Sequence, residues 1–446
     1  MTCSLTETQV DGLHTNVFLP DTAPRSVLVI RTPYDADAYR AEAHAWVRRG
    51  IAVVTQDVRG RHRSRGRFRP FENEGADGLA TLQWVASRSW AGAPVILYGT
   101  SYSAHCAVEA AIAAAEAGVD AVGGVSVAVP ALGLGETARN IDGCFYLQSR
   151  VGWWLEHGEG SESPGAAIPD GLLDTLPVAD IGRRATPQIS AWERVIRAER
   201  RDYERGAEVS RLRCPLLAVG GMADWFAQDT VDLWTSWGGP AALVMGPWDH
   251  SLRGSDRARR MESWIDDVCA GTPTTGAQVL GLPGGTVDLT RWPSTETSTV
   301  LPGGRFHADP TDPFPSMAHG ADLSEAAARP DCLVLDLPNR SAALIGTPTV
   351  RVHPTHGAGH WGALLAIRRR DGRLEQTAHG MSTHTTIHLT PVAAHLDTGE
   401  SMVLILSAHS FPRHARDLQS SCDHLAGTET RAVLREVESV TFGMPA

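Results

Sequence analysis

The sequence predicts an α/β core that is interrupted by a helical insertion and followed by an all-β domain, and three observations carry that prediction. From Val10 to about Pro130, β-rich apolar runs alternate with helical patterns, as in a mostly parallel sheet covered by helices. From Ala131 to Arg213 the composition turns to Gly, Pro and Glu. Beyond a polar helical link around Asp256 to Ala270, short alternating segments are separated by turns such as Asp371-Gly372 and Thr398-Gly399, the pattern of a β-sandwich.

Taken in order, strands are expected at Leu13 to Leu19, Ser26 to Arg31, Ile51 to Asp57, Pro94 to Tyr98 and Ala121 to Val129. Helices fit Ala36 to Arg49 with Gly50 as its stop, Gly75 to Arg88, and Tyr102 to Ala117 with Gly118 as its stop. The insertion carries helical segments around Asn140 to His157 and Gln188 to Val209. The sheet resumes at Cys214 to Gly220 and Ala241 to Gly246, with a helix near Asp229 to Trp237 between them. The expected organisation is therefore a discontinuous core (1–130 and 214–271), a helical cap (131–213) and a β domain (272–446), in which Pro302 to Pro330 reads as an extended surface loop.

Composition narrows the function. The 446 residues, 42% hydrophobic and 20% charged, suffice for two or three domains with real cores. A formal net charge of −11 argues against nucleic-acid or anionic-membrane partners, which favour basic faces. The start Met1-Thr2-Cys3-Ser4-Leu5-Thr6-Glu7 lacks the pattern of a signal peptide, and the chain is expected to be cytoplasmic. Seven scattered cysteines, never in a CxxC pair, are expected to be reduced thiols without a zinc site. All 40 basic residues are arginine, so a lysine Schiff base, a Ser-Lys dyad and a Walker phosphate loop are excluded.

The chemistry centres on Gly99-Thr100-Ser101-Tyr102-Ser103, where an apolar strand runs straight into an Ala-rich helix. A serine at that corner fits a nucleophile elbow, in which a sharp turn lifts the hydroxyl above the sheet edge. It equally fits an ordinary turn with a helix-capping serine. A serine hydroxyl is a poor nucleophile until a histidine, oriented by a carboxylate, takes its proton, and in hydrolases of this sheet type the chain order is Ser, acid, His. Asp224, in the loop after Leu216 to Gly220, and His250, just past the strand ending at Gly246, satisfy that order. Asp249 and Asp229 are the rival acids. The oxyanion hole would use the backbone N–H of Tyr102 and the phenol of Tyr34, which stays a neutral donor at pH 7.

Several separated motifs carry a resemblance. Gln56-Asp57-Val58-Arg59-Gly60, then Ser64, Gly66, Phe68, Pro70, Asn73-Glu74 and Asp77-Gly78, leading to Trp84, Trp90 and the serine corner, resemble the cocaine esterase and X-Pro dipeptidyl-peptidase group of hydrolases. Gly221-Met222-Ala223-Asp224 is similar to that family's acid loop, and Gly246-Pro247-Trp248-Asp249-His250 to its histidine loop. Gly346-Thr347-Pro348-Thr349-Val350 and Ser407-Ala408-His409-Ser410-Phe411-Pro412-Arg413 resemble its C-terminal jelly roll. The resemblance implies an α/β-hydrolase core with a helical cap and a jelly-roll domain. It also implies Ser101, Asp224 and His250 as a catalytic triad, with Tyr34 and Tyr102 forming the oxyanion hole.

Two departures stand out: Ser103 and Ala104 replace the glycine the family has shortly after its nucleophile, and Met222-Ala223 replace the usual Trp-Tyr before the acid. The second removes an aromatic wall and bears on substrate preference. Trp153, Trp154 and Trp225 are candidates for lining the substrate pocket. Asp57 and Arg59 read as an internal ion pair bracing the loop under the elbow. His353, His356 and His360 have metal-like spacing but no accompanying carboxylate or cysteine, so no metal and no cofactor is expected.

The leading expectation is a serine hydrolase acting on a small-molecule ester or amide, with an acyltransferase or cyclase using the same acyl-enzyme and a non-catalytic binding protein as rivals. The sequence leaves the oligomeric state open, a homodimer included.

Overall fold

A computed structural model describes residues 3–338, 343–356, 359–420 and 423–445, and every count below refers to these. The first strands are β1 (Cys3–Val10), β2 (Leu13–Pro20), β3 (Ser26–Thr32), β4 (Ile51–Asp57), β5 (Val95–Thr100) and β6 (Gly124–Ala128). Helices α1 (Arg40–Val47), α2 (Glu74–Ala86) and α3 (Tyr102–Glu116) connect them. An insert follows with α4 (Leu134–Ala138), α5 (Leu147–His157), α6 (Ile181–Arg184), α7 (Trp192–Arg197) and α8 (Asp202–Val209). The sheet then resumes with β7 (Leu216–Gly221), α9 (Ala227–Ser236), β8 (Ala241–Gly246), α10 (Arg257–Cys269), β9 (Gly276–Leu282) and β10 (Gly285–Leu289).

These ten strands form one sheet in the order β1-β2-β4-β3-β5-β6-β7-β8-β9-β10. The run from β4 through β9 is parallel, so its C-terminal ends share one edge. Central strands such as β3, β4 and β7 are buried along their whole length, which explains their unbroken apolar runs. On one face Leu82 and Val85 of α2, the alanines of α3 and Val231 and Trp234 of α9 pack on the strands. On the other, Trp46 and Val47 of α1 and Trp264 and Ile265 of α10 do the same.

The chain ends in β11 (Thr295–Ala308), β12 (Cys332–Asp336), β13 (Ala343–Gly346), β14 (Thr349–Pro354), β15 (Trp361–Arg368), β16 (Leu374–Ser382), β17 (Thr386–His388), β18 (Val392–His395), β19 (Ser401–Ser407) and β20 (Val433–Pro445). Two four-stranded sheets, β11-β20-β14-β17 and β12-β19-β15-β16, face each other across a core that includes Phe306, Phe442, Trp361 and Leu404. The fold is thus an α/β-hydrolase core with a helical insert and a C-terminal β domain. None of the described helices is long and apolar enough to cross a membrane.

Several expectations are corrected. The sheet runs two strands past the boundary placed at 271, because β9 pairs in parallel with β8 and β10 folds back on β9. An additional strand, β1, precedes the first expected one as a hairpin partner of β2. The helix expected over Ala36 to Arg49 opens as a 3₁₀ turn at Ala36–Tyr39, and that over Gln188 to Val209 divides into α7 and α8. Part of the loop expected at Pro302 to Pro330 is strand: Pro302 lies within β11 opposite Ser439, which an edge strand tolerates because it has no second neighbour to receive the missing N–H.

Candidate active site

Ser101 sits between β5 and α3 at φ 56° and ψ −122°, a conformation that L-residues rarely adopt. Its hydroxyl makes no capping bond to α3, so this is not the ordinary capped turn. The crossing of strand and helix is close enough to require Gly99: a Cβ there would overlap the Ser103 carbonyl and lie 2.5 Å from the Ala104 nitrogen. That demand falls before the serine, and the absence of glycine at 103 and 104 is accommodated.

The tyrosine that follows is locked in place. The Tyr102 phenol donates to Glu74 Oε1 at 2.5 Å and accepts from the Phe71 amide at 2.7 Å, and its ring stacks on Trp153. Burial pushes the Glu74 carboxyl upward in pKa. Arg31 holds the same loop by donating to the Glu74 carbonyl at 2.6 Å and to Gln56 Oε1 at 2.8 Å. The ion pair expected between Asp57 and Arg59 does not form. Arg59, in the turn beyond β4, reaches Asp77 instead, and Asp57 Oδ1 accepts the Ala36 amide at 2.7 Å.

Tyr34, in the loop after β3, accepts a hydrogen bond from Trp153 Nε1 at 3.2 Å. Burial raises its pKa, and Trp153, the Ser101 side chain and the Tyr102 backbone partly offset the rise. Since the indole can only donate, the Tyr34 proton is left to point elsewhere. Sequence reasoning passed over Arg61, which ties this corner together. It is fully buried and donates to the Pro33 carbonyl at 2.9 Å and to the His157 and Gly160 carbonyls of the insert at 3.0 and 2.8 Å.

Asp224 and His250 come together from consecutive strand ends. Asp224 Oδ1 lies 2.6 Å from His250 Nδ1, while Oδ2 accepts the Phe226 amide at 3.0 Å. The Met222 amide donates to the Gly246 carbonyl at 2.8 Å and the Ala223 amide to the Trp248 carbonyl at 3.0 Å, joining the two loops. Gly221 permits this approach, for a Cβ would overlap the Trp248 carbonyl. The Asp224 side chain is 0% exposed and that of His250 42%. Burial disfavours the imidazolium, yet the hydrogen bond and charge of Asp224 outweigh it and raise the His250 pKa. The rival acids are engaged elsewhere: Asp249 accepts from the Ser251 amide and hydroxyl, and Asp229 pairs with Arg200 at 2.6 Å.

Ser101, Tyr34 and His250 open on one cavity of about 480 Å³, whose other walls are Trp225, Phe226 and one face of α5. Of the tryptophans expected in the pocket, Trp153 and Trp225 line it and Trp154 does not. Successive helical residues lie about 100° apart, so Trp153 faces the cavity while Trp154 joins Val151 and Leu155 in the core of the insert. Of the histidines with metal-like spacing, His353 bonds Thr441 and His360 packs edge-on to His424.

The sequence profile of the X-Pro dipeptidyl-peptidase (S15) family matches residues 10–252. The cocaine esterase of Rhodococcus sp. (strain MB1 Bresler) is 26% identical over 410 residues, with 71% of this chain and 70% of that enzyme covered. Among solved structures, an aminopeptidase from the marine sediment archaeon Thaumarchaeota archaeon superposes with a TM-score of 0.83 at 15% identity, covering 100% of this chain and 96% of its own. An α-amino acid ester hydrolase gives 0.80 at 18% identity, covering 99% and 96%. These structures share the fold, and the relatives mark the chain as an ester or amide hydrolase. The match over more than half its length shows that this chain belongs to the X-Pro dipeptidyl-peptidase (S15) family of hydrolases.

Proposed function

We propose that this chain hydrolyses a small-molecule carboxylic ester or amide through a serine acyl-enzyme. In this reading Asp224 accepts a hydrogen bond from Nδ1–H of His250, which leaves Nε2 as the base. His250 takes the Ser101 proton as Oγ bonds to the carbonyl carbon, and the carbonyl electrons become an oxyanion held by Tyr34 and the Tyr102 N–H. The imidazolium then protonates the leaving group as its bond to carbon breaks. Water, deprotonated by His250, repeats the sequence and releases the acid.

The observation that carries the reading is Ser101 itself: a non-glycine residue at φ 56°, free of capping duty, beside a half-buried phenol in one cavity and at the start of α3. Strain of this kind, about 1–3 kcal/mol, persists where function requires it. Labelling with a fluorophosphonate and release of 4-nitrophenol from 4-nitrophenyl butyrate test it. Wild type should label at one site and turn over, Ser101→Ala should do neither, and labelling that persists in Ser101→Ala would overturn the assignment. Ester product formed only with an added alcohol would redirect the reading to acyl transfer.

A further inference from the structure

α5 presents Ser149, Arg150, Trp153, Glu156 and His157 to the cavity that holds Ser101. Arg150 is the unusual member. It is 5% exposed, and among the described residues its side chain makes no ion pair and a single long hydrogen bond, from Nε to Ser149 Oγ at 3.5 Å. Compare Arg61, whose guanidinium is equally deep and satisfied by backbone carbonyls on three sides. Glu156 does not neutralise Arg150: its side chain is turned out to solvent beside His157. The titratable groups whose charge acts on Arg150 are Tyr34 and Tyr146, both neutral at pH 7, and its own charge acts on His250.

A buried cation without a partner is costly, and burial lowers the Arg150 pKa to about 10. Its place near the start of α5 adds to the cost, since the helix dipole disfavours a cation there. The protein therefore maintains, inside this cavity, a planar fork of donors whose two terminal nitrogens make no hydrogen bond or ion pair with the described residues. We propose that Arg150 is a specificity-determining residue that binds an anionic group, a carboxylate on the acyl chain or the leaving group of the substrate. This rests on the hydrolase reading for the word substrate, while the anion site itself does not depend on turnover.

Matched substrate pairs test the proposal. Mono-4-nitrophenyl adipate and 4-nitrophenyl hexanoate differ in a carboxylate on the acyl side; 3-carboxyphenyl butyrate and phenyl butyrate differ in one on the leaving side. Wild type should prefer the anionic member of at least one pair in kcat/KM, and the pair identifies the side. Arg150→Gln should lose that preference by about tenfold or more, read as the ratio of anionic to neutral kcat/KM within each variant, and Arg150→Lys should recover part of it. Neutral esters turned over with no preference in either pair, or a preference that survives in Arg150→Gln, would overturn the inference while leaving the hydrolase reading intact.

Adipate titrated into the proteins by calorimetry gives a readout without catalysis: binding to wild type that is lost in Arg150→Gln supports the anion site even if no ester is hydrolysed. Equal binding to both, or none to wild type, counts against it. The melting temperature separates a structural role. Removing an uncompensated charge should leave Arg150→Gln as stable as wild type or more so, and a marked drop accompanied by loss of neutral-ester turnover would make Arg150 a structural residue instead.

Discussion

Ser101 occupies a backbone conformation that glycine adopts without strain, and a serine is kept there at a conformational cost. Ser101→Gly should therefore raise the urea midpoint, by the equivalent of about 1 kcal/mol or more, while abolishing ester turnover. On the proposed mechanism Tyr34→Phe removes one oxyanion donor and leaves the ring that packs on His157, so kcat should fall roughly a hundred- to thousandfold with KM little moved. The raised pKa of His250 sets the pH dependence. Only the neutral ring serves as base, so kcat/KM should decline on acidification through an apparent pKa above the ordinary value of about 6.5, and Asp224→Asn should move that limb down. The linked stability has the opposite sense: the gain from the Asp224 pair is complete below about pH 6.5 and is lost as pH rises through the higher folded value. Positions at this scale are legible where a side chain follows a strand, as Ser101, Asp224 and His250 do, because a parallel sheet gathers its strand ends on one edge. Arg61 and Arg150 were not legible. Whether an arginine is buried and what receives its donors depends on elements distant in sequence.

At the scale of elements, two close approaches build the site, and each rests on one glycine. Gly99→Ala would drive a methyl group into the first turn of α3, and a destabilisation of about 3 kcal/mol or more is expected from denaturant midpoints, with activity lost in proportion to folded protein. The core elements could be read because their periodicity is strong. Ile51–Asp57 and Ala241–Gly246 have the bounds their apolar runs suggest. In the insert, short helices alternate with irregular chain, and phase is ambiguous. Trp153 and Trp154 are indistinguishable as letters, and only the packing of α5 against the core decides which ring faces the cavity. Likewise β11 was obscured by Pro302 and its neighbouring glycines, residues that signal a loop unless the strand is known to lie at an edge.

On the scale of the molecule, the three regions share interiors. Ile345 and Ala393 of the β domain pack against the apolar cluster under the main sheet, and Thr347 donates to Gln228 of α9 at 3.2 Å. A chain ended after Leu289 should consequently aggregate or bind hydrophobic dye, which light scattering would register. The insert is fastened from the same side. Asp142 accepts the His388 amide at 2.7 Å through Oδ2 and faces its ring Nδ1 at 2.7 Å through Oδ1, and its carbonyl accepts from the Thr383 amide and hydroxyl. Asn140 adds a bond to the Met381 carbonyl at 2.5 Å. The carboxylate raises the His388 pKa, so this fastening is firmest in acid and slackens as the ring loses its proton above about pH 6.5. An insert moored through Asn140 and Asp142 to a separate pair of sheets is held against swinging aside while those bonds stand. Turnover of a sparingly soluble ester should thus rise smoothly through its critical micelle concentration, without the abrupt interfacial activation of enzymes whose lids must first roll back.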